Sequence, residues 1–424
     1  MKFWLVEISD FLPKLDENNR LYRVGIVAKA LVDSGHQVLW WSSTFNHQLK
    51  RQRFKVSTTV EIQKNYRLRL LYGPGYSRNI SFARWKHNRI VAREFAREIV
   101  EMPIQEQPDL IYACLPTLEV SEQAVLYGIR RGIPVVVDIR ELWPDNYLTV
   151  FPNCFRALFR LLLTTEFLRA RRILRLATGI TSTSHTYLQW GLKVAQRGVR
   201  AADKWFALGS DAKTKMQRTA LDVQSALEAK GLVLKQNDLV ISFVGSFNRL
   251  FNFETILEVA RDLFQEGEQR VQFILAGDGP QVSLLRIHSY GLENVHLTSW
   301  CEKAEVDKIL AISSIGLAPY YSIVTPTLPN KPFEYMAAGL PILSSLGGEL
   351  KTIIEQESIG LQYDADDSND LKEKIMWFLS HPEKTKEMGL RAKALFEKKY
   401  RADVVYADFV KHLEKIANER LSNL

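Results

Sequence analysis

The chain has 424 residues, 46% of them hydrophobic and 25% charged, which excludes a disordered, collagenous or disulfide-scaffold protein. At about 100–200 residues per domain, that length predicts two or three domains. Lys and Arg total 56 against 48 Asp and Glu, a net charge of +8. This surplus favours anionic partners: phosphate-bearing ligands, nucleic acid or anionic lipid.

Three cysteines, Cys114, Cys154 and Cys301, lie far apart. They form no CxxC pair, so neither a zinc ribbon nor a disulfide framework is expected, and a reducing cytosol fits. Before Glu7 the N-terminus is apolar only over Phe3–Val6, too short for a signal peptide. No run of about 18 apolar residues predicts a membrane-crossing helix.

In chain order, short runs rich in Val, Ile, Leu and aromatics predict strands at Phe3–Ile8, Gln37–Ser42, Arg69–Tyr72, Asp109–Leu115, Pro134–Ile139 and Thr178–Thr183. Helical spacing marks Leu21–Asp33 and Arg84–Glu101. The rhythm then repeats. Strands are expected at Leu239–Gly245, Val271–Gly277, Asn294–Thr298, Ile315–Ala318 and Pro341–Ser345. Helices are expected at Phe253–Glu266, Pro280–Tyr290, Ala304–Ser313 and Pro332–Ala338, and the tail from Ser368 reads as further helices. Such alternation predicts α/β architecture: two doubly wound, Rossmann-like domains facing a cleft, with the junction in Ala201–Asp238. Ligands in such sheets bind beyond the carboxyl ends of the strands.

Several candidate sites fall on those ends. Val271–Pro280 (VQFILAGDGP) runs a buried strand into Gly277, Asp278 and Gly279, with Pro280 expected in the first turn of a helix. A ligand loop and a plain strand–turn–helix corner both fit. In PNKPFEYMAAGLP, a helix starting near Asn330 is expected to put Glu334 in its first turn. There the carboxylate can accept two ribose hydroxyls, and Lys331 can meet a phosphate at a helix N-terminus. This reading is favoured over simple compensation of the helix dipole. The Gly347-Gly348 turn of SSLGGE can cradle a diphosphate with backbone N–H groups. The FVGSFN corner is followed by the cation Arg249.

Asp138-Ile-Arg140-Glu141-Leu-Trp-Pro-Asp follows a very apolar strand. Asp138, Arg140 and Glu141 are candidate catalytic residues that orient sugar hydroxyls or take a proton. An ion-paired corner with Trp143 in the core is the equal alternative. Asp364-Ala-Asp366 matches a metal-binding DxD on paper but reads as helix capping. No HxxxH, GxSxG or Walker motif occurs, and no metal or cofactor is expected.

Phe155–Ile173 interleaves leucines and phenylalanines with arginines. Between Phe151 and Arg200 nine Arg or Lys face one acid, Glu166. An amphipathic basic helix lying on an anionic membrane is favoured over an ordinary packed helix.

Taken together, Gly277-Asp-Gly-Pro280, PNKPFEYMAAGLPI, SSLGGE and IGLQY resemble the C-terminal domain of family 4 retaining glycosyltransferases of GT-B fold. LYRVGIVAKALVDSGHQVLWWSS and VVVDIRELWP are similar to a bacterial branch that builds O-antigen, capsule or exopolysaccharide. The resemblance spans nearly the whole chain. It implies an acceptor-binding domain over 1–205, a donor-binding domain over 206–395, and a C-terminal helix over 396–424 packing back on the first domain. It implies transfer of a hexose or N-acetylhexosamine from a nucleotide-diphosphate sugar to a glycan or lipid-linked glycan, with retention. Metal is replaced by cations and oriented N–H groups, and the leaving phosphate helps remove the acceptor proton.

The family's signature carries two glutamates with seven residues between them. The second matches Glu334, assigned to the donor ribose; the first falls on Pro326, which leaves Thr325 or Thr327 to contact the donor sugar. The family's diphosphate-holding Arg and Lys fall on Ser246 and Phe251, so Arg249 and Lys331 are expected instead. Its glycine-rich first loop is replaced by Glu17-Asn18-Asn19-Arg20, which puts Asn19 and Arg20 on the acceptor side. The expected setting is cytoplasmic, peripheral on the inner face of the membrane, with no nucleic-acid partner. A nucleotide-sugar 2-epimerase, or a non-catalytic relative that only binds nucleotide sugar, are the alternatives.

Overall fold

The computed structural model describes residues 1–16, 21–148, 155–210, 234–235, 237–324 and 328–421. They form two compact units, one of Met1–Leu208 with Val405–Leu424 and one of Gly209–Val404.

The first unit is built on eight strands: β1 (Lys2–Val6), β2 (Gln37–Ser43), β5 (Thr58–Gln63), β6 (Tyr66–Leu71), β7 (Leu110–Leu115), β8 (Val135–Ile139), β9 (Gly179–Ser182) and β10 (Lys204–Trp205). Their order is β10-β9-β8-β7-β1-β2-β6-β5, and only β5 runs antiparallel to its neighbour. A small hairpin of β3 (Phe45–Asn46) and β4 (Arg51–Gln52) follows β2. In β7 (LIYACL) and β8 (VVVDI) every residue is buried, as expected of parallel strands covered on both faces. β6 (YRLRLL) instead alternates towards the edge, because its arginines occupy the half-exposed face. Trp4 stacks on Tyr127 at 5.6 Å and meets Trp41 edge-on at 5.3 Å, forming the aromatic centre of this core.

The chain's last helix, Ala402–Leu421, returns to this unit from Val405. Phe409 meets Tyr112 edge-on at 5.5 Å and Phe206 at 4.4 Å. The Arg23 guanidinium lies 4.9 Å from the Phe409 ring centre.

The second unit carries β11 (Leu239–Val244), β12 (Val271–Ala276), β13 (Val295–Thr298), β14 (Ile315–Ala318), β15 (Ile342–Ser344) and β16 (Gly360–Gln362). They lie in the order β13-β12-β11-β14-β15-β16, all parallel. Phe243, Phe247, Phe251 and Phe253 cluster around the end of β11, with Phe243 4.8–4.9 Å from Phe251 and Phe253.

Both sheets are Rossmann-like. In each, the strand order reverses at the first strand: β1 lies between β7 and β2, and β11 between β12 and β14. That reversal opens a crevice at the carboxyl ends of those strands.

Three local expectations are corrected. Pro280 does not begin a helix; the chain first turns, and the helix runs Val282–His288. Phe155–Ile173 is two helices, Arg156–Leu162 and Thr164–Leu176, which break at Leu163. The helix of PNKPFEYMAAG spans Asn330–Ala338, so Glu334 falls in its second turn and the first turn holds no acid.

Candidate functional site

At the end of β11 in the second unit, Gly245 adopts φ +143, and a side chain there would collide with the Lys331 amine. Lys331 sits in the first turn of Asn330–Ala338, which carries its side chain to the neighbouring strand end. Its amine donates to the Val244 carbonyl at 2.5 Å and lies 4.5 Å from the Phe243 ring centre and 5.1 Å from that of Phe251. Burial pulls the Lys331 amine down to about 8, with Glu334 opposing. No carboxylate forms an ion pair with it among the described residues.

The next loop packs against this one. Gly277, at φ +152, has its Cα position against the Gly245 carbonyl, where a Cβ would come within 1.9 Å. Phe247 N–H donates to the Asp278 carbonyl at 2.8 Å, and the Asp278 carboxylate accepts from Gly279 N–H at 2.7 Å. Asp278 and Arg249 are exposed, and Gly279 is half-buried. At the end of β15, Gly348 (φ 67) precedes the helix Glu349–Glu357, and nothing packs on the Cβ position of Gly347. The ends of β11, β12 and β15 and the start of the helix after β14 therefore offer glycine backbone and one half-buried cation. That combination suits a diphosphate. Glu334 is half-buried beside Lys331, and Asn330 is exposed at the helix start. Thr325 and Thr327 lie outside the described residues.

In the first unit, the crevice beyond β1 holds charge. Glu7 follows β1 and is 1% exposed; Asp10 is 3% exposed. The Glu7 carboxylate accepts from Ser9 N–H at 2.9 Å, Ser9 Oγ at 2.6 Å and Asp10 N–H at 2.7 Å. Arg140, after β8, donates to both Asp10 oxygens at 2.9 and 2.8 Å and stands 3.9 Å from Glu7. Burial, then repulsion from Asp10, pushes Glu7 up to about 7; Arg140 and the hydrogen bonds oppose this.

Of the residues proposed from DIRELWPD, Arg140 is thus fixed on Asp10. Asp138 is fully buried: it takes Arg23 Nε at 2.9 Å, Arg23 Nη2 at 3.2 Å and Thr181 Oγ1 at 2.7 Å. Arg23 also donates to the carbonyls of Ser182, Phe206 and Ala207. Glu141 is exposed and accepts from the Trp143 indole N–H. Trp143 is half-buried against Tyr147, not in the core. The structure gathers Arg140 with Glu7 and Asp10 and leaves Asp138 beneath the surface. Asn19 and Arg20 lie outside the described residues.

The paper DxD is occupied otherwise. Asp366 accepts from Asn252 Nδ2 and Ser322 Oγ, both at 2.6 Å, and Asp367 caps Ser368–Ser380.

Gly245, Glu7, Asp10 and a cluster of His47, Lys50, Tyr76 and Arg84 are functional candidates that emerge from the folded structure. Glu7 and Asp10 carried the signal used for DIRELWPD, charge directly after an apolar strand. The others depend on contacts between distant segments.

Residues 225–395 match the family model described as glycosyl transferases group 1. A search of curated protein sequences returns no match. Among solved structures, the chain is similar to the HepE protein of Anabaena in complex with UDP, at 13% identity and TM-score 0.66, covering 98% of this chain and 100% of that one. It is similar to sucrose-phosphate synthase from Thermosynechococcus elongatus at 15% identity and TM-score 0.67, with 99% of each chain covered. It is also similar to WaaG, a glycosyltransferase involved in lipopolysaccharide biosynthesis, at 13% identity and TM-score 0.61, covering 98% of this chain and 99% of that one. These likenesses establish the fold: two Rossmann-like domains of the GT-B class.

Proposed function

We propose that the chain is a retaining, metal-independent glycosyltransferase of the family 4 type. It moves a hexosyl or N-acetylhexosaminyl group from a nucleotide-diphosphate sugar to a lipid-linked saccharide in bacterial surface-polysaccharide assembly. The observation that carries this reading is the Lys331 amine above Gly245, half-buried and without a carboxylate partner among the described residues. A cation held there at a cost in desolvation suits a diphosphate that restores its charge. The group 1 match over the same segment supports it, as does the fold shared with a protein solved in complex with UDP.

In this reading Lys331, Arg249 and the N–H groups of Gly277–Gly279 and Gly347–Gly348 hold the diphosphate. Glu334 takes the ribose hydroxyls; Asn330, Thr325 and Thr327 meet the donor sugar. The bond from the anomeric carbon to the diphosphate oxygen breaks as the acceptor oxygen bonds to the same face. The acceptor proton passes to the leaving phosphate. Developing charge on that phosphate is what the cation and N–H groups stabilise. The acceptor is assigned to the first unit and to Arg140, Glu141, Asn19 and Arg20, with Asp138 supporting the corner through Arg23.

Membrane association at the inner face of the cytoplasmic membrane belongs to the same reading. The helix Arg156–Leu162 has no buried residue, and Phe155, Leu158, Leu161 and Leu162 are 51–70% exposed beside Arg156 and Arg160. Arg169 is excluded from that surface: its side chain pairs with Glu122 at 3.1 Å and Glu166 at 2.7 Å.

The test is a nucleotide-release assay with UDP-, GDP-, dTDP- and CMP-sugars, with and without lipid extract and EDTA. Release from one donor, stimulated by lipid, insensitive to EDTA and abolished in Glu334→Ala, is expected. Conversion of a donor to its isomer without release would favour an epimerase instead.

A further inference from the structure

One corner of the first unit is unused by the reading above. It lies at the carboxyl ends of β2 and β6 and at the start of the helix Phe82–Glu101. Lys50 Nζ stands 4.9 Å from the Tyr76 ring centre, and the Arg84 guanidinium stands 5.9 Å from it and 5.4 Å from the Trp143 ring. His47 Nδ1 meets the Tyr76 hydroxyl and lies 3.5 Å from Lys50 Nζ. His87, 2% exposed, closes the floor and accepts from Gly75 N–H at 3.1 Å.

The cations here have no carboxylate within ion-pair distance among the described residues. Elsewhere in this unit Arg23, Arg53, Arg69, Arg140, Arg169 and Arg197 each meet a carboxylate. Neither Lys50 nor Arg84 does among the described residues; Lys50 turns to Asn79 and the His47 carbonyl, and Arg84 to the Asn79 carbonyl at 2.9 Å. Two cations held together without a counter-ion repel each other, and the imidazoles record it. Burial, then Arg84, Lys50 and His87, pull His47 down to about 4, and burial with Arg84 does the same to His87. The Lys50 ammonium can only donate, so its approach to His47 Nδ1 places the neutral ring's proton on Nε2. Tyr76 and Trp143 add aromatic faces on which a sugar ring can lie.

We propose that this corner receives a phosphate carried by the acceptor, bound by Lys50, Arg84 and His47 Nε2–H. A phosphate fits better than a carboxylate, since its larger number of oxygens and up to two negative charges match two cations and a neutral donor. The proposal deepens the acceptor side of the function proposed above and rests on it. The phosphate has two sources, a free sugar phosphate or the diphosphate of a lipid-linked saccharide.

The test is calorimetry on the full chain with saturating UDP present, so that the second unit does not compete. Inorganic phosphate, glucose 6-phosphate and a polyprenyl-diphosphate-linked sugar in detergent are titrated separately. Binding of inorganic phosphate and of at least one carrier is expected, weakened about tenfold or more in the double variant Lys50→Ala, Arg84→Ala. Arg84→Lys should recover part of it, and UDP affinity should stay unchanged in both. The carrier that binds identifies the source. Phosphate affinity equal in wild type and double variant overturns the proposal, as does binding of none of the three by a chain that still turns over nucleotide sugar. A chain that binds phosphate at this corner but no nucleotide supports the site and removes the sugar-transfer reading.

Discussion

At the carboxyl end of the first sheet, Glu7, Asp10 and Arg140 form a buried, mutually paired charge cluster, with Arg23 and Asp138 beneath it. At the corresponding end of the second sheet stand glycines at positive φ and one lysine with no carboxylate partner among the described residues. The first arrangement has already met its own charge, and that pairing fixes loop geometry. The second leaves backbone and cation uncommitted, as a phosphate ligand requires. A paired buried charge is evidence about architecture; an unpaired, half-buried one is evidence about a ligand.

Four experiments break or sharpen that contrast. The largest effect is expected in the first unit. Arg23→Ala strands Asp138 without its partner at full burial, and loss of about 3–5 kcal/mol is expected in urea unfolding. A loss below about 1 kcal/mol would mean that the pair does not hold the corner.

Glu7 comes next. Its carboxyl is raised from 4.5 to about 7 in the folded chain. The folded state therefore holds that proton more tightly than the unfolded state does. The associated stability is fully present below pH 4.5 and is lost as pH rises through about 7, on the order of 3 kcal/mol. Glu7→Gln should flatten that part of a stability–pH curve; an unchanged slope would show that Glu7 does not titrate there.

In the second unit the effect should appear in binding, not stability. Lys331→Ala should weaken nucleoside diphosphate binding about 10- to 100-fold, the range for losing a charged hydrogen bond. With the amine near 8, wild-type affinity should fall as pH rises through about 8. Lys331→Arg stays charged and should remove that dependence.

The smallest effect concerns the exposed helix. Reversing Arg156 and Arg160 to Glu should lower sedimentation with anionic vesicles by about 1 kcal/mol per charge. Wild-type protein that never binds such vesicles would end the membrane assignment.

The contrast also explains what could be read in the sequence. Turn glycines and the PNKPFEYMAAG run are local signals, so the strand ends of the second unit stood out, and β7, β8, β11 and β12 announced themselves as continuous apolar runs. The edge strand β5 (TTVEIQ) was hidden, because an edge strand alternates and carries charge. The first unit's cluster was hidden for another reason. Arg140 meets Asp10 across 130 positions and Arg23 meets Asp138 across 115, and no local pattern encodes those pairings. The same holds for Lys331, whose partner, the Val244 carbonyl, lies 87 residues away. Its lysine was visible in the motif; its seat above Gly245 was not. The position of Glu334 failed by one helical turn, because Pro329 holds the cap and the helix begins at Asn330.

The most direct measurement is calorimetric titration of the full chain with UDP, GDP, dTDP and CMP, alongside Lys331→Ala and Gly245→Ala. Gly245→Ala drives a methyl group into the Lys331 amine without removing any charge. One nucleoside diphosphate is expected to bind, and both variants to weaken it about tenfold or more while the fold is retained. Equal affinity in wild type and both variants, or no binding of any nucleotide, would contradict the assignment of the second unit's strand ends to the sugar donor.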